Sequence, residues 1–204
     1  MVMKKKLMIV IISSSTLGII LNLVQINFFD DNPDRLLESI KLFRYFTIQS
    51  NLLVAVYFAL TVSGKFDDSD FFKRFFGSVF LSIFVTGIVF AGYLEWTYVS
   101  PGLYKIGSAL LHYISPILVT MYLLQSKEDY SFEYKDIKVW LIYPVSYLVY
   151  LIIQGVITND YLYPFFDVPT IGVLGLVIST FFLVLFFFGM SILLVKIFSK
   201  KNNA

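Results

Sequence analysis

The 204-residue chain contains no cysteine and only one histidine. The absence of cysteine excludes disulfides, thiolate nucleophiles and cysteine-ligated metals. A single histidine also excludes a metal site built from several imidazoles. Charged residues make up only 15% of the chain and leave a formal net charge of +2, which gives no indication of nucleic-acid binding. The sequence shows no motif for a metal, nucleotide or redox cofactor, so we expect a protein that works without one.

Apolar residues dominate what is present. Hydrophobic residues account for 58% of the chain, aromatic residues for 19%, and the mean hydropathy is +0.78. A water-soluble domain does not reach such values, whereas an integral membrane protein does. Aromatic side chains suit lipid-facing surfaces and the belts at the membrane boundary. The composition therefore predicts an all-α integral membrane protein.

Hydropathy along the chain predicts a single domain, residues 1–204, that forms a bundle of six transmembrane helices. A helix needs about 20 apolar residues to cross a bilayer. The runs that meet this requirement are 7–29, 40–63, 75–96, 107–125, 139–157 and 171–195. The first run follows three lysines and so also resembles a signal peptide, but it is long enough to span and ends without a small-residue cleavage site.

Basic residues are unevenly distributed among the predicted loops. The two termini and the loops at 65–74 and 126–138 hold most of them, whereas the opposite connections hold Arg35 and Lys105, with Lys41 at the edge of a span. Because positively charged loops remain in the cytoplasm, both termini are predicted to be cytoplasmic. We expect a multi-pass protein of the cell membrane.

Polar side chains open the second apolar run. Arg44, Thr47 and Asn51 are spaced three and four residues apart, so on one continuous helix they share a stripe. Polar residues within a span usually face the bundle interior or a water-filled cavity. With both termini inside, the second and fourth helices both begin at the outer surface, which places Thr47 and His112 at a similar depth of roughly 10 Å.

An alcohol and an imidazole at one depth suggest nucleophilic catalysis. A hydroxyl is a weak nucleophile unless a neighbouring base takes its proton, and histidine is the usual base. Thr47 and His112 are therefore the candidate nucleophile and base, and Ser50 and Ser115 are rival hydroxyls. The candidates for binding substrate or stabilising an oxyanion are Arg44, Asn51, Gln49, Asn22 and Ser115.

Other interpretations of these residues remain open. A threonine in a membrane helix usually bonds to its own preceding turn, and a lone histidine or asparagine often joins two helices. Arg44 is near enough to the surface to extend its charge into water. The same residues also fit a lipid-binding or transport protein whose outward-facing pocket holds a ligand unchanged, or a structural membrane subunit.

Three short motifs give the chain a family resemblance. They are Tyr-Phe-Thr-Ile-Gln-Ser-Asn at 45–51, Leu-His-Tyr-Ile-Ser-Pro at 111–116 and Tyr-Pro-Phe-Phe-Asp at 163–167. In this order within a six-span chain they resemble the androgen-induced membrane hydrolases and their short bacterial relatives. The segment Tyr-Pro-Val-Ser-Tyr at 143–147 is similar to the bacterial branch.

The resemblance implies a threonine-dependent lipid hydrolase in a bacterial plasma membrane. Animal members of the family cleave fatty acid esters of hydroxy fatty acids inside the membrane with a threonine and a histidine. By motif, the threonine corresponds to Thr47 and the histidine to His112. The implied partners are the fatty-acyl ester substrate and the surrounding membrane lipids.

Overall fold

A computed structural model describes residues 2–66, 68–97 and 100–199. Over these residues the chain is helical, with no strand among them. The α-helices are α1 (Val2–Val24), α2 (Arg35–Leu42), α3 (Phe46–Val62), α4 (Asp70–Gly92), α5 (Leu103–Ala109), α6 (Ser115–Gln125), α7 (Ile137–Thr158) and α8 (Val168–Phe198). Two π-helical segments, Gln25–Phe29 and Leu110–Ile114, extend α1 and join α5 to α6. Short 3₁₀ turns occur at Leu94–Trp96, Lys127–Asp129, Tyr134–Asp136 and Pro164–Phe166.

Five of the helical stretches in the described residues are long and apolar enough to cross a membrane. They are Met3–Phe29, Asp70–Gly92, Leu103–Gln125, Tyr134–Thr158 and Val168–Phe198. A sixth is counted if α2 and α3, which are bent by 69° at their junction, are taken as one broken span. The prediction of an all-helical chain is thus confirmed over the described residues, and five or six of the helical stretches could cross a membrane where six spans were predicted. The orientation of the termini stays a prediction.

The second predicted span, 40–63, is wrong as a continuous helix. The helix breaks between α2 and α3, where Tyr45 is extended (φ −75°, ψ 134°). The side-chain amide of Gln49 donates to the Phe43 carbonyl at 2.9 Å. A side chain therefore supplies the hydrogen bond that a main-chain N–H would supply to this carbonyl in a continuous helix. Arg44 therefore lies in the turn before α3 and not on one helical stripe with Thr47.

Helix α4 begins five residues before the predicted third span. The hydroxyl of Ser69 accepts a hydrogen bond from the Phe72 N–H at 3.2 Å and caps the helix at Asp70. A serine cap satisfies one of the N–H groups that a helix start leaves without a partner. The charged residues that hydropathy assigns to the loop at 65–74 thus partly belong to the helix.

The chain divides into two compact units, Met1–Tyr130 and Ser131–Ala204. In the first unit, α1 packs against α3, α5 and α6, and α4 packs against α3 and α6. Helices α1 and α4 therefore each contact both α3 and α6. The interior between α3, α4 and α6 is aromatic, with the rings of Tyr57, Phe58, Phe76 and Tyr122 stacked or edge-on.

In the second unit, α7 packs against α8, and the Pro164–Phe166 turn also contacts α8. Helix α8 is interrupted at Gly172, whose φ of 69° is one that residues with a Cβ rarely adopt. An added Cβ there would meet no atom within 4 Å. Backbone conformation rather than space therefore accounts for glycine at this break.

Candidate active site

Thr47 and His112 lie within hydrogen-bonding distance in the first unit. Thr47 is the second residue of α3, and His112 is the central residue of the π-helical segment Leu110–Ile114. The Thr47 Oγ1 atom is 3.1 Å from the His112 Nε2 atom. The alcohol and imidazole that the sequence places at one depth are therefore neighbours in the fold.

The other ring nitrogen determines which way the proton lies. His112 Nδ1 is 3.0 Å from the backbone carbonyl oxygen of Ser108. A carbonyl oxygen only accepts hydrogen bonds, so Nδ1 carries the hydrogen and the neutral ring keeps a lone pair on Nε2. In this tautomer the Thr47 hydroxyl donates to Nε2, which is the arrangement that a general base requires.

Two further contacts hold the imidazole. The Phe90 ring stacks on it with a centroid distance of 3.7 Å and an interplanar angle of 11°. The Ser108 hydroxyl oxygen also lies 3.0 Å from Nδ1. The ring plane and the position of its proton are thus set by α4 and α5 together.

The sequence around Pro116 explains why one carbonyl of the π-helical segment has no main-chain donor. The Ser115 N–H bonds to the carbonyl of Leu110, five residues back, instead of the carbonyl of Leu111. The residue five positions after Leu111, which would donate to its carbonyl in a π-helix, is Pro116, and proline has no N–H. The carbonyl of Leu111 therefore lacks its usual main-chain donors next to His112.

Helix α4 approaches this segment closely at Gly87. A Cβ at Gly87 would lie 3.0 Å from the His112 carbonyl oxygen and 3.1 Å from the Cβ of Pro116. Real Cβ contacts are rarely so short. Glycine at this position therefore lets α4 pack against the backbone that carries the histidine.

Asn51 bridges α3 and the π-helical segment. Its side chain is 0% exposed, and its Nδ2 donates to the Leu111 carbonyl at 3.1 Å and to the Thr47 carbonyl at 2.9 Å. An amide nitrogen has two hydrogens, so both are used within the fold. The oxyanion role that we expected for Asn51 finds no support in this arrangement.

The two rival serines lie in other helix contacts. The Ser50 hydroxyl is 3.0 Å from the hydroxyl of Thr86 and 3.1 Å from the Thr47 carbonyl. The Ser115 hydroxyl is 3.0 Å from that of Ser14 and 3.1 Å from that of Ser15. Ser50 and Ser115 are both 0% exposed. Neither is placed beside the imidazole as Thr47 is.

Of the remaining candidates, Asn22 and Gln49 use their amides in contacts outside the Thr47–His112 pair, and Arg44 lies in the turn just before Thr47. Asn22 donates its amide to the Gly18 carbonyl at 2.8 Å within α1. The Gln49 amide donates to the Phe43 carbonyl. Arg44 is half-buried in the turn before Thr47, with its Nε and Nη2 atoms shielded from solvent.

Sequence reasoning missed Ser108, Phe90 and Gly87. Ser108 had a detectable signal, because a residue four positions before the histidine lies directly beneath it on a helix. Phe90 and Gly87 had none, since nothing in an apolar helix indicates which face meets the histidine. The described residues also contain no group of three or more potential metal-ligating side chains.

Comparison of the chain with family models, with curated proteins and with solved structures finds no match. The function is therefore inferred from the geometry of the site together with the three sequence motifs.

Proposed function

We propose that the protein is an intramembrane lipid ester hydrolase in which Thr47 is the nucleophile and His112 the base. The observation that supports this most directly is the 3.1 Å contact between Thr47 Oγ1 and His112 Nε2, with the opposite ring nitrogen bonded to a carbonyl. A nucleophile, a base and a group that orients the base form the usual pattern for covalent catalysis by a hydroxyl. Here the orienting group is a backbone carbonyl.

The first half of the reaction transfers an acyl group to the enzyme. Thr47 Oγ1 attacks the ester carbonyl carbon while its proton moves to His112 Nε2, and the carbonyl oxygen becomes an oxyanion. Collapse of this intermediate breaks the bond to the alcohol oxygen, which takes the proton from Nε2 as it leaves. The products are an acyl-threonine and the free hydroxy fatty acid or other alcohol.

The second half releases the acyl group with water. His112 Nε2 takes a proton from a water molecule, whose oxygen attacks the acyl carbon. The tetrahedral intermediate then expels Thr47 Oγ1, which recovers the proton from Nε2. A free fatty acid leaves, and both side chains return to their starting protonation states.

The beginning of α3 offers an oxyanion-stabilising group beside the nucleophile. The N–H groups of Ile48 and Gln49 both bond to the Tyr45 carbonyl, and Tyr45 provides no side-chain cap. The N–H of Thr47 therefore precedes the hydrogen bonds of the helix, where the positive end of the helix dipole favours an anion. We assign the oxyanion to this N–H, and a substrate carboxylate to the guanidinium of Arg44 in the adjoining turn.

The substrate class follows from the apolar setting and from the resemblance of three motifs to membrane threonine hydrolases. Helix α1 exposes Ile9, Val10, Leu17 and Ile20, a surface suited to acyl chains. A fatty acid ester of a hydroxy fatty acid combines an acyl ester with a free carboxylate. It would present one to Thr47 and the other to Arg44.

The test is hydrolysis of such an ester by the purified full-length protein in lipid nanodiscs. Thr47→Val keeps the size of the side chain and removes the hydroxyl, so hydrolysis should fall by at least about 1000-fold. The matched control is Thr61→Val in the same helix, whose hydroxyl donates to the Tyr57 carbonyl, four residues back. Equal rates for wild type and Thr47→Val would overturn the proposal.

A lipid-binding or transport protein is the alternative outcome of the same experiment. In that case the purified protein retains or moves the ester without cleaving it. A fluorophosphonate or β-lactone probe then leaves Thr47 unlabelled in wild type. Labelling that disappears in Thr47→Val supports the hydrolase.

A further inference from the structure

The geometry points to Asn51 as the residue that positions His112 against Thr47, by holding the π-helical segment in register through the Leu111 carbonyl. Its catalytic consequence rests on the proposed function. Its structural content, a bond between α3 and the backbone beside the histidine, does not.

One amide group joins the backbones on both sides of the site. The two Nδ2 hydrogens of Asn51 reach the Thr47 carbonyl at 2.9 Å and the Leu111 carbonyl at 3.1 Å. Thr47 is the proposed nucleophile, and Leu111 is covalently bonded to His112. The amide therefore fixes the separation of the two chain segments whose side chains meet at 3.1 Å.

The Leu111 carbonyl depends on this bond because of its neighbours. In α-helical register its donor is the Ser115 N–H, which instead bonds to Leu110. In π-helical register its donor is residue 116, a proline without an N–H. A buried carbonyl without a donor costs about 1–3 kcal/mol, so loss of Asn51 favours return of the Ser115 N–H to Leu111.

Such a return converts the π-helical turn into an α-helical one and removes one residue from the turn. Each residue of an α-helix turns the side-chain direction by about 100°. Because Gly87 packs against the His112 carbonyl and Pro116, the segment cannot absorb this change without moving. His112 Nε2 then leaves the Thr47 hydroxyl.

The single histidine makes this measurable without any activity assay. In the untagged full-length protein labelled with ¹⁵N-histidine, only His112 contributes ring-nitrogen signals. Thr47→Val provides the Nε2 signal of a ring that has lost its hydroxyl donor. We expect Asn51→Leu, which has a similar size and no donor, to move the Nε2 signal to the Thr47→Val position. We also expect ester hydrolysis to fall on the order of 100-fold.

The matched control is Asn27→Leu. Asn27 also uses its amide twice, donating to the Leu23 carbonyl at 2.8 Å and to the Ser39 hydroxyl at 2.9 Å. Its loss removes the same chemistry from a different helix junction, so the His112 signals should stay at their wild-type positions. A wild-type Nε2 signal in folded Asn51→Leu, or equal displacement by Asn27→Leu, would overturn the assignment.

Pro116→Ala keeps the test decisive if Asn51→Leu does not fold. Alanine at 116 supplies an N–H, so the Leu111 carbonyl no longer depends on Asn51. The double variant should therefore fold, and it should melt close to Pro116→Ala alone. A double variant as unstable as Asn51→Leu contradicts the assignment. Identical Nε2 signals in wild type and Thr47→Val contradict the Thr47–His112 bond, and with it both the positioning role and the proposed mechanism.

Discussion

At the scale of single residues, His112 is held by one side-chain group and one main-chain group, and only the first can be removed by substitution. The His112 Nε2 atom faces the side chain of Thr47, which a substitution can remove. The Nδ1 atom faces the backbone carbonyl of Ser108, which remains whatever side chain stands at position 108. The Ser108 hydroxyl is a second neighbour of Nδ1 at 3.0 Å. The tautomer is thus set mainly by the main chain.

Ser108→Ala should therefore be mild. The substitution removes the hydroxyl and leaves the carbonyl, so Nδ1 keeps its acceptor and Nε2 keeps its lone pair. A neutral hydrogen bond contributes about 1 kcal/mol, and we expect hydrolysis to fall by less than about 10-fold. His112→Gln, by comparison, removes the base and should cost about 100-fold or more. A loss in Ser108→Ala as large as that in His112→Gln would show that the serine side chain, and not the carbonyl, orients the ring.

Part of this site could be predicted from the sequence, for a physical reason. The chain has one histidine, and counting residues from the predicted span boundaries pairs it with Thr47, even though the break before α3 makes Thr47 the second residue of a helix and not the middle of a continuous one. The role of Asn51 could not be predicted in the same way. It depends on a π-helical turn, and hydropathy does not distinguish a five-residue spacing of hydrogen bonds from a four-residue spacing. The contacts of Ser115 with Ser14 and Ser15 could not be predicted either, because they lie at the end of the same π-helical turn.

At the scale of helices, the site depends on two irregular junctions. The break between α2 and α3 places Thr47 at a helix start, and the π-helical segment between α5 and α6 places His112 beside it. The long helices follow from apolar runs and could be predicted. The break between α2 and α3 could not be predicted, because Phe43, Tyr45 and Phe46 continue the apolar run. The bond to the Phe43 carbonyl comes from the Gln49 side chain, which hydropathy does not reveal.

Gly87→Ala tests the contact between α4 and the π-helical segment. In an open helix, glycine to alanine is stabilising by up to about 1 kcal/mol. Here the new methyl group meets the His112 carbonyl at 3.0 Å, and overpacking of this kind costs about 1–3 kcal/mol. We expect a lower melting temperature in detergent and a displaced His112 ring signal.

Gly92→Ala, in the same helix, is the control for Gly87→Ala. An added Cβ at Gly92 meets no atom within 4 Å. We expect it to leave the melting temperature unchanged or slightly raised. If both variants melt alike, the close approach at Gly87 does not constrain the histidine segment.

At the scale of the whole molecule, the distribution of basic residues predicts how the chain is threaded through a membrane. Arg35 lies at the start of α2, on the side predicted to be external, and Lys127 lies in the turn after α6, on the side predicted to be cytoplasmic. Helices long and apolar enough to span connect these loops. The threading is a prediction from charge, independent of the site.

Labelling with a membrane-impermeant maleimide tests the threading directly. Because the chain has no cysteine, single substitutions report without background. In intact cells, Asp31→Cys should be labelled and Lys127→Cys should be labelled only after the membrane is opened. Asp31 and Lys127 are both exposed, so burial does not explain a difference. The reverse pattern would place Thr47 and His112 near the cytoplasmic surface.

The serine cluster between α1 and α6 joins residues that are synthesised far apart in time. Ser14 and Ser115 are separated by 101 positions, and a ribosome adds about 5–20 residues per second. For roughly 5–20 s the hydroxyls of Ser14 and Ser15 are without Ser115, and carbonyls of their own helix are acceptors within reach. The polar contact between α1 and α6 therefore forms only after synthesis of the later polypeptide that also carries His112.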